Sequence, residues 1–413
     1  MKVDAARGLA GRLPDGEAFL AAMAGPFARA VRTHPRRGQP SGWGDLRAVA
    51  WNPQGRFHAD DLDPGDFLDY HTGTVHPQDA ASQVPAVLLA AQPGETIVDV
   101  CAAPGSKSTQ IGLDLGDDGL LICCDASAPR RRVLAEVCAR QGITCAVITP
   151  MGIEALVERH PGSADGVLVD APCSGHEPRS DKQVARMSDR QVALLASSAP
   201  LVRPGGRLVY STCTPHVAEN EEVIERFLAA HPRWSVDPRT LSGCDTDLAG
   251  LGAIRLWPQR QGTEPFFACR LLHAGDEPAV TPVGYLPPGD GLLGRWLPGS
   301  ELHCWRRGTA VFMGSAAAAA CPIPSEARGT LLGHARGDHL DPEAWAAQAL
   351  IERGATSIAV ERVDAAGLWA GDAVPGLPIG SFIRTGDGAP LGLMARDGRL
   401  ALPSRMRRAG LRY

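Results

Sequence analysis

The chain has 413 residues, 44% hydrophobic and 21% charged, which is ordinary for a globular protein of two or three domains with a sizeable core. Its net charge of −5 excludes a histone-like polycation, so any nucleic-acid partner must meet a local basic patch. The 11 Cys form no CxxC pair and no CxxC…H spacing, which argues against a structural zinc site or a disulfide scaffold and for a reducing cytoplasm. Residues 1–20 lack the pattern of a secretory signal, and no run of about 18 apolar residues suggests a membrane span. Lys occurs only at Lys2, Lys107 and Lys182, so Lys107 stands out in a chain whose positive charge is nearly all Arg.

In chain order, residues 1–75 form a segment rich in Gly, Pro and Asp, with a predicted helix near 17–23. No acid falls between Glu17 and Asp45, whereas Arg29, Arg32, His34, Arg36 and Arg37 do. A solvated loop and a phosphate-contacting segment both account for that bias; in the second case Arg32, Arg36 and Arg37 are the contacts. From Thr96 the runs TIVDV, LLICCD, TCAVIT, GVLVD and GRLVYST alternate with amphipathic stretches. This predicts a parallel α/β sheet covered by helices on both faces, in a domain spanning 76–273. AIRLW and PFFACRLL read as closing antiparallel strands.

Residues 274–288 carry four prolines and read as a linker. Over 289–413 the pattern becomes α+β. The run at 315–321 predicts one or two helical turns, and DPEAWAAQALIERG predicts a helix capped by Asp341, with Pro342 in its first turn and a Gly stop. Short strands follow. Residues 396–413 hold six Arg, among them Arg405, Arg407 and Arg408, against the single acid Asp397.

In an open parallel sheet, ligands bind where strands lead into helices. The first such loop, Asp99-Val100-Cys101-Ala102-Ala103-Pro104-Gly105-Ser106-Lys107, is neither GxGxxG nor a Walker loop. Its small residues admit close approach, the amides after Gly105 suit a carboxylate, and Lys107 adds charge for it. Asp125, ending the second strand, suits the hydroxyls of a ribose. An amino-acid tail beside a ribose describes S-adenosylmethionine. The fourth strand ends Asp170-Ala171-Pro172-Cys173-Ser174-Gly175 and the fifth Ser211-Thr212-Cys213-Thr214. Two Cys on adjacent strand ends point to methylation at C5 of a pyrimidine, because C5 is not nucleophilic until a thiolate adds to C6. Asp170 is placed to pair with N3 or the exocyclic amine and draw charge off the ring.

DVCAAPGSKSTQIG, DAPCSG and VYSTCTPHVAENEEVIERFL resemble the signature blocks of the RsmB/RsmF (Sun, NOP2-like) RNA cytosine-5 methyltransferases. GSKSTQIG, with Arg179 and Asp181, is most similar to the RsmF branch. HPQDAASQVPAVLL and RLWPQRQGTEPFFACRLL resemble the family's lead-in and closing blocks, and the last 25 residues resemble an RNA-binding terminal module. The resemblance implies a Rossmann-like, S-adenosylmethionine-dependent methyltransferase fold with a small N-terminal RNA-binding segment and a C-terminal RNA-binding region, its PUA-like module at about 335–413. It implies that Cys213 is the nucleophile and that Cys173 assists elimination. It also implies a cofactor site lined by residues 101–107, Asp125, Arg130 and Asp170, and an RNA substrate, most simply 16S ribosomal RNA, for a cytoplasmic, metal-free monomer. An inactive RNA-binding homologue in ribosome assembly, and the same chemistry on tRNA, are the alternatives.

Four departures accompany the resemblance. The acid usual after the third strand is absent from Thr149–Gly152, which predicts weaker cofactor binding. Val31-Arg32-Thr33-His34 lacks the usual Asn, Gln259 replaces a His, and Glu264-Pro265 replaces Asp-Gly. Of the remaining Cys, all are read as structural, with Cys101, Cys123, Cys124, Cys138 and Cys145 in the core. His216, near the Cys213 loop, is read as a surface residue in preference to one that helps move a proton, and Glu219 and Glu221 as acids favouring a helix dipole.

Overall fold

The computed structural model describes residues 8–176, 178, 180–275, 297, 300–307, 309–336, 339–360, 362–373, 377–378, 381–395 and 399–402. Arg179, Arg405, Arg407, Arg408 and nearly all of the predicted linker lie outside these residues. The N-terminal helix Gly16–Met23 forms where predicted. The segment after it, read as irregular, is a four-stranded antiparallel sheet of β1 (Ala30–Thr33), β2 (Arg47–Val49), β3 (Asn52–Phe57) and β4 (Val75–Pro77), in the order β2-β3-β1-β4.

The predicted parallel strands are β5 (Thr96–Asp99), β6 (Leu120–Cys124), β7 (Ala146–Thr149), β8 (Ala164–Asp170) and β9 (Val202–Thr212). Four more follow: β10 (Trp234–Val236), β11 (Asp245–Thr246), β12 (Ile254–Leu256) and β13 (Phe266–His273). The parallel strands stand in the order β7-β6-β5-β8-β9, and β13 closes the sheet antiparallel to β9. Chain direction through the sheet reverses at β5, so the ligand crevice is expected at the carboxyl ends of β5, β6 and β8.

Because helices cover both faces of the sheet, each parallel strand carries a stretch that is apolar on both sides. Ile97, Leu121, Leu168 and Val209 enter one core layer, while Val98, Ile122, Val167, Leu208 and Tyr210 enter the other. The loop after β5 needs glycine: Gly105 has φ +119°, and a Cβ there would lie 2.9 Å from Leu134. Asp99 holds this loop from below, accepting from the Ser108 hydroxyl at 2.7 Å and the Cys101 amide at 3.3 Å.

Beyond the linker, β14 (His303–Arg307), β15 (Ala310–Gly314), β17 (Thr330–Arg336) and β18 (His339–Pro342) form an antiparallel sheet. β16 (Ala327–Arg328) instead pairs antiparallel with β7 and extends the central sheet. The boundary expected at 289 therefore does not separate the two regions cleanly. The helix at Ala316–Ala320 is the predicted short one, with Ser315 accepting from the Ala318 amide. The expected cap at Asp341 is not found. Asp341 and Pro342 end β18, and Glu343 occupies the cap position of the helix Ala344–Glu352. Pairing with β17 takes precedence over the local cap signal. β19 (Ser357–Val360), β20 (Phe382–Thr385) and β21 (Pro390–Leu393) form a last sheet, and the helix Arg362–Ala370 between them was not foreseen. No helix among the described residues is long and apolar enough to cross a membrane.

Candidate active site

The ends of β8 and β9 bring the two singled-out Cys together: the Cys173 and Cys213 sulfurs lie 3.3 Å apart. Beside them Asp170 accepts from the Ser211 hydroxyl at 2.7 Å and from Lys107 Nζ at 2.7 Å. Lys107 also lies over the Phe266 ring, 5.6 Å from its centroid. Burial alone would depress the Lys107 ammonium, but the adjacent Asp170 carboxylate holds it above its ordinary range.

The two thiols titrate as one unit. The hydrogen bond from Cys213 holds Cys173 below the ordinary thiol range despite its burial. The same bond, burial and the negative charge of a Cys173 thiolate push Cys213 up. Cys173 is thus the more acidic sulfur of the pair and Cys213 the one that keeps its proton to higher pH.

The loop carrying Cys173 is fastened by Glu219, a residue first read as a helix-dipole partner. Fully buried, it accepts from the Ser174 amide at 3.0 Å, the Ser174 hydroxyl, and Gln191 Nε2 at 2.8 Å. Gln191 also donates to Pro172 O at 2.9 Å. The Cys213 loop is fastened separately. Asn220 accepts from Thr212 at 2.5 Å and donates to Thr214 O at 2.9 Å, and the buried Glu221–Arg255 pair (2.6 Å) ties in Pro215 through Arg255. His216 is buried, not on the surface as expected. Apart from the two Asn220 bonds, which span 6 and 8 residues, these ties join residues 19–45 positions apart, so no local pattern in the sequence announces them.

From the thiols a cleft of about 790 Å³ runs past Asp170, Cys101 and Ala103 to Asp125 and Arg130, and ends at Pro150, Met151, Ile153 and Glu154. Asp125 accepts from the Ser127 amide at 2.9 Å and pairs with Arg130 at 3.0 Å, while Arg130 reaches back to Ala103 O. Of the loop expected to hold a carboxylate, Cys101 and Ala103 line this cleft, whereas Ala102, Pro104, Gly105, Ser106 and Lys107 are not among its lining residues. The Ser106 hydroxyl meets His76 at 3.0 Å and its carbonyl accepts from Arg32 at 2.9 Å. Cys101, read both as a core Cys and as part of the cofactor loop, is half-buried and faces the cleft.

Glu154 alters the expectation of weak cofactor binding. The third-strand loop has no acid, but this carboxylate enters the cleft from the first turn of the next helix, Ile153–Arg159. An elongated nucleoside–amino-acid molecule fits the cleft: a carboxylate for ribose hydroxyls, an apolar shelf and acid for a base, and the reactive groups at the other end. Among the described residues no cluster of three or more His, Cys, Asp or Glu side chains is placed to hold a metal.

Two of the predicted RNA-contacting arginines are interior. Arg32 is 1% exposed and donates to Gln78 Oε1, Ser106 O and Thr109 Oγ1 at 2.8–2.9 Å. Arg37, also 1% exposed, bonds Glu352 Oε2 and Thr72 O at 2.8 Å. Arg36 is exposed but pairs with Glu352 at 2.8 Å. Arg32 and Arg37 thus serve the fold, because a buried guanidinium must find its acceptors inside it, whereas Arg36 keeps a solvent-facing side chain.

Residues 86–272 match the family model described as 16S rRNA methyltransferase RsmB/F. The chain is 30% identical over 342 residues to the ribosomal RNA small subunit methyltransferase F of Citrobacter koseri, covering 71% of each chain. It is 33% identical over 303 residues to that of Cronobacter sakazakii, covering 65% of this chain and 62% of the relative. It thus spans about three-fifths of the length of some of these curated relatives. Among solved structures, a methyltransferase homologue from Pyrococcus horikoshii superposes with TM-score 0.57 at 24% identity, covering 64% of this chain and 93% of that one. NSun6 from the same organism, solved with SFG, gives 0.58 at 18% identity, covering 66% and 98%.

Proposed function

The chain belongs to the 16S rRNA methyltransferase RsmB/F family, and from that premise we propose that it methylates C5 of a cytosine in ribosomal small-subunit RNA, using S-adenosylmethionine. The observation that carries this reading is the thiol pair, 3.3 Å apart and beside the Lys107–Asp170 ion pair. A protein that only binds RNA has no need for two reactive sulfurs at a ligand-binding rim. The main argument for an inactive homologue was the missing acid, and Glu154 weakens it.

The target base must leave its stack or come from a single-stranded loop so that its C6 face meets a thiol. As Cys213 adds to C6, its proton passes along the existing hydrogen bond to the Cys173 thiolate. The C6–S bond forms, and electron density moves to C5 and the N3 edge. Asp170 accepts from the exocyclic amine, while the Lys107 ammonium offsets the charge drawn off the ring. When bound, S-adenosylmethionine would supply an electrophilic methyl group, with Asp125 the residue to hold its ribose hydroxyls and Glu154 the acid available to its base. Cys173 loses its proton to solvent and then, as a thiolate, removes the C5 proton. The C6–S bond breaks and Cys213 leaves as a thiolate.

Bisulfite mapping of ribosomal and transfer RNA from cells with and without the protein tests the assignment. Loss of one small-subunit rRNA cytosine mark is expected. A loss confined to tRNA would change the substrate, and no loss at all would overturn the activity.

A further inference from the structure

A second cavity, of about 520 Å³, lies beyond the sheet edge and is lined by Trp305, Arg306, Arg307, Phe312, Glu326 and Arg328 among others. Its floor is the β14–β15 hairpin, whose register sets Trp305 opposite Phe312. The two rings are 5.8 Å apart and within 17° of parallel, and His303 continues the row at 6.2 Å from Trp305. Two glycines let the indole settle there: a Cβ at Gly314 or Gly329 would lie 3.2 or 3.0 Å from it. Phe312 remains half-buried at the cavity, and Arg306 and Arg307 are exposed beside it. Arg328 is fixed by the carbonyls of Ala319 (3.1 Å) and Ile323 (2.9 Å). The one acid among the six is engaged: Arg131 bonds both Glu326 oxygens, at 2.6 and 2.9 Å. The wall is therefore cationic around an aromatic floor, in a chain that is net negative and only 5% aromatic.

The cavity also adjoins the active-site cleft. Pro324, on its rim, accepts from the Thr149 hydroxyl at 2.6 Å, and Pro150 and Met151 line the cleft on the other side of that bond. A phosphate alone would not call for the rings, and an apolar ligand would not call for the arginines. Aromatic faces take bases of any sequence while cations track the backbone. We propose that this cavity is a subsite for single-stranded RNA, stacking a base on Phe312 with the flanking phosphates held by Arg306 and Arg307. The proposal rests on the methyltransferase reading only for which RNA arrives.

Binding of a labelled single-stranded RNA 10-mer of mixed sequence to the full chain, followed by anisotropy over a salt series, tests it. Phe312→Leu keeps the apolar bulk and removes the π face. It should weaken RNA binding about tenfold, with the salt slope and the affinity for heparin unchanged. Arg307→Glu, on the exposed side, should weaken binding and reduce the slope of log K against log salt by about one or more. Unchanged RNA affinity and slope in both variants would overturn the subsite, as would an equal loss of heparin binding in Phe312→Leu. Methylation assayed in parallel separates the two readings. Lost 10-mer binding in the variants with no methylation by the parent protein leaves the subsite standing and removes the activity; intact methylation with unchanged 10-mer binding removes the subsite alone.

Discussion

Asp125 and Glu154 are the acids on the far walls of the cleft. Asp125→Ala should weaken binding of S-adenosylmethionine by about 1–3 kcal/mol, the cost of losing a hydrogen bond to a charged group, as read by calorimetry. Unchanged affinity would remove Asp125 from the site. Glu154→Ala should weaken it by a similar factor, whereas an acid that merely lines the opening would leave the affinity intact. At this scale the sequence was informative where the chemistry is local. Cys173, Cys213 and Asp125 stand just after strands, Asp170 ends β8 and Lys107 lies in the first turn of the helix after β5, and the fold brings them to one side of the sheet. Glu219, Gln191 and Arg255 could not be read in the same way, because their partners are 19 to 45 residues away and only the folded sheet brings them close.

The elements that were legible are those whose burial is decided by their own composition. β5, β6 and β7 are buried along their whole length and, apart from Thr96, Asp99 and Thr149, apolar at every position. The N-terminal sheet was missed because its strands are three to six residues long and mix Arg, Gly and Pro with apolar positions. Its order depends on distant partners such as Gln78 and Thr109, which meet Arg32. The same holds for the contact between the N-terminal segment and the helix Ala344–Glu352. The Glu352 side chain is inaccessible to solvent and is met by Arg36, Arg37 and Arg353. Burial alone would raise this carboxyl, but the surrounding guanidinium groups hold it down at about 2, against 4.5 in an unfolded chain. A carboxylate depressed by folding contributes stability above its unfolded value and loses it as pH falls towards the folded one. Glu352→Gln should therefore cost about 3 kcal/mol at pH 7, the usual scale for removing one partner of a buried pair. The gap in unfolding midpoint between the parent protein and this variant should close between about pH 4.5 and 2. A gap independent of pH across that window would show that Glu352 is not held ionised by its neighbours.

At the scale of the whole molecule, the parallel sheet supplies one rim on which a cofactor cleft and two thiols meet, and the C-terminal region extends that sheet through β16 and adds a cationic, aromatic cavity beside it. The joint between these regions was hidden in the sequence, since β16 is only two residues long. The account turns on the order in which the two sulfurs act. In the proposed mechanism Cys213 gives up its proton and forms the bond to C6, while Cys173 takes the proton and later clears C5. The most direct measurement is a denaturing gel of purified protein incubated with substrate RNA and S-adenosylmethionine. Cys173→Ala should accumulate a covalent RNA adduct because attack proceeds and release is blocked. Cys213→Ala, and the double variant, should form no adduct and transfer no methyl group. An adduct trapped by Cys213→Ala but not by Cys173→Ala would reverse the roles, and methylation undiminished in both variants would contradict the covalent mechanism altogether.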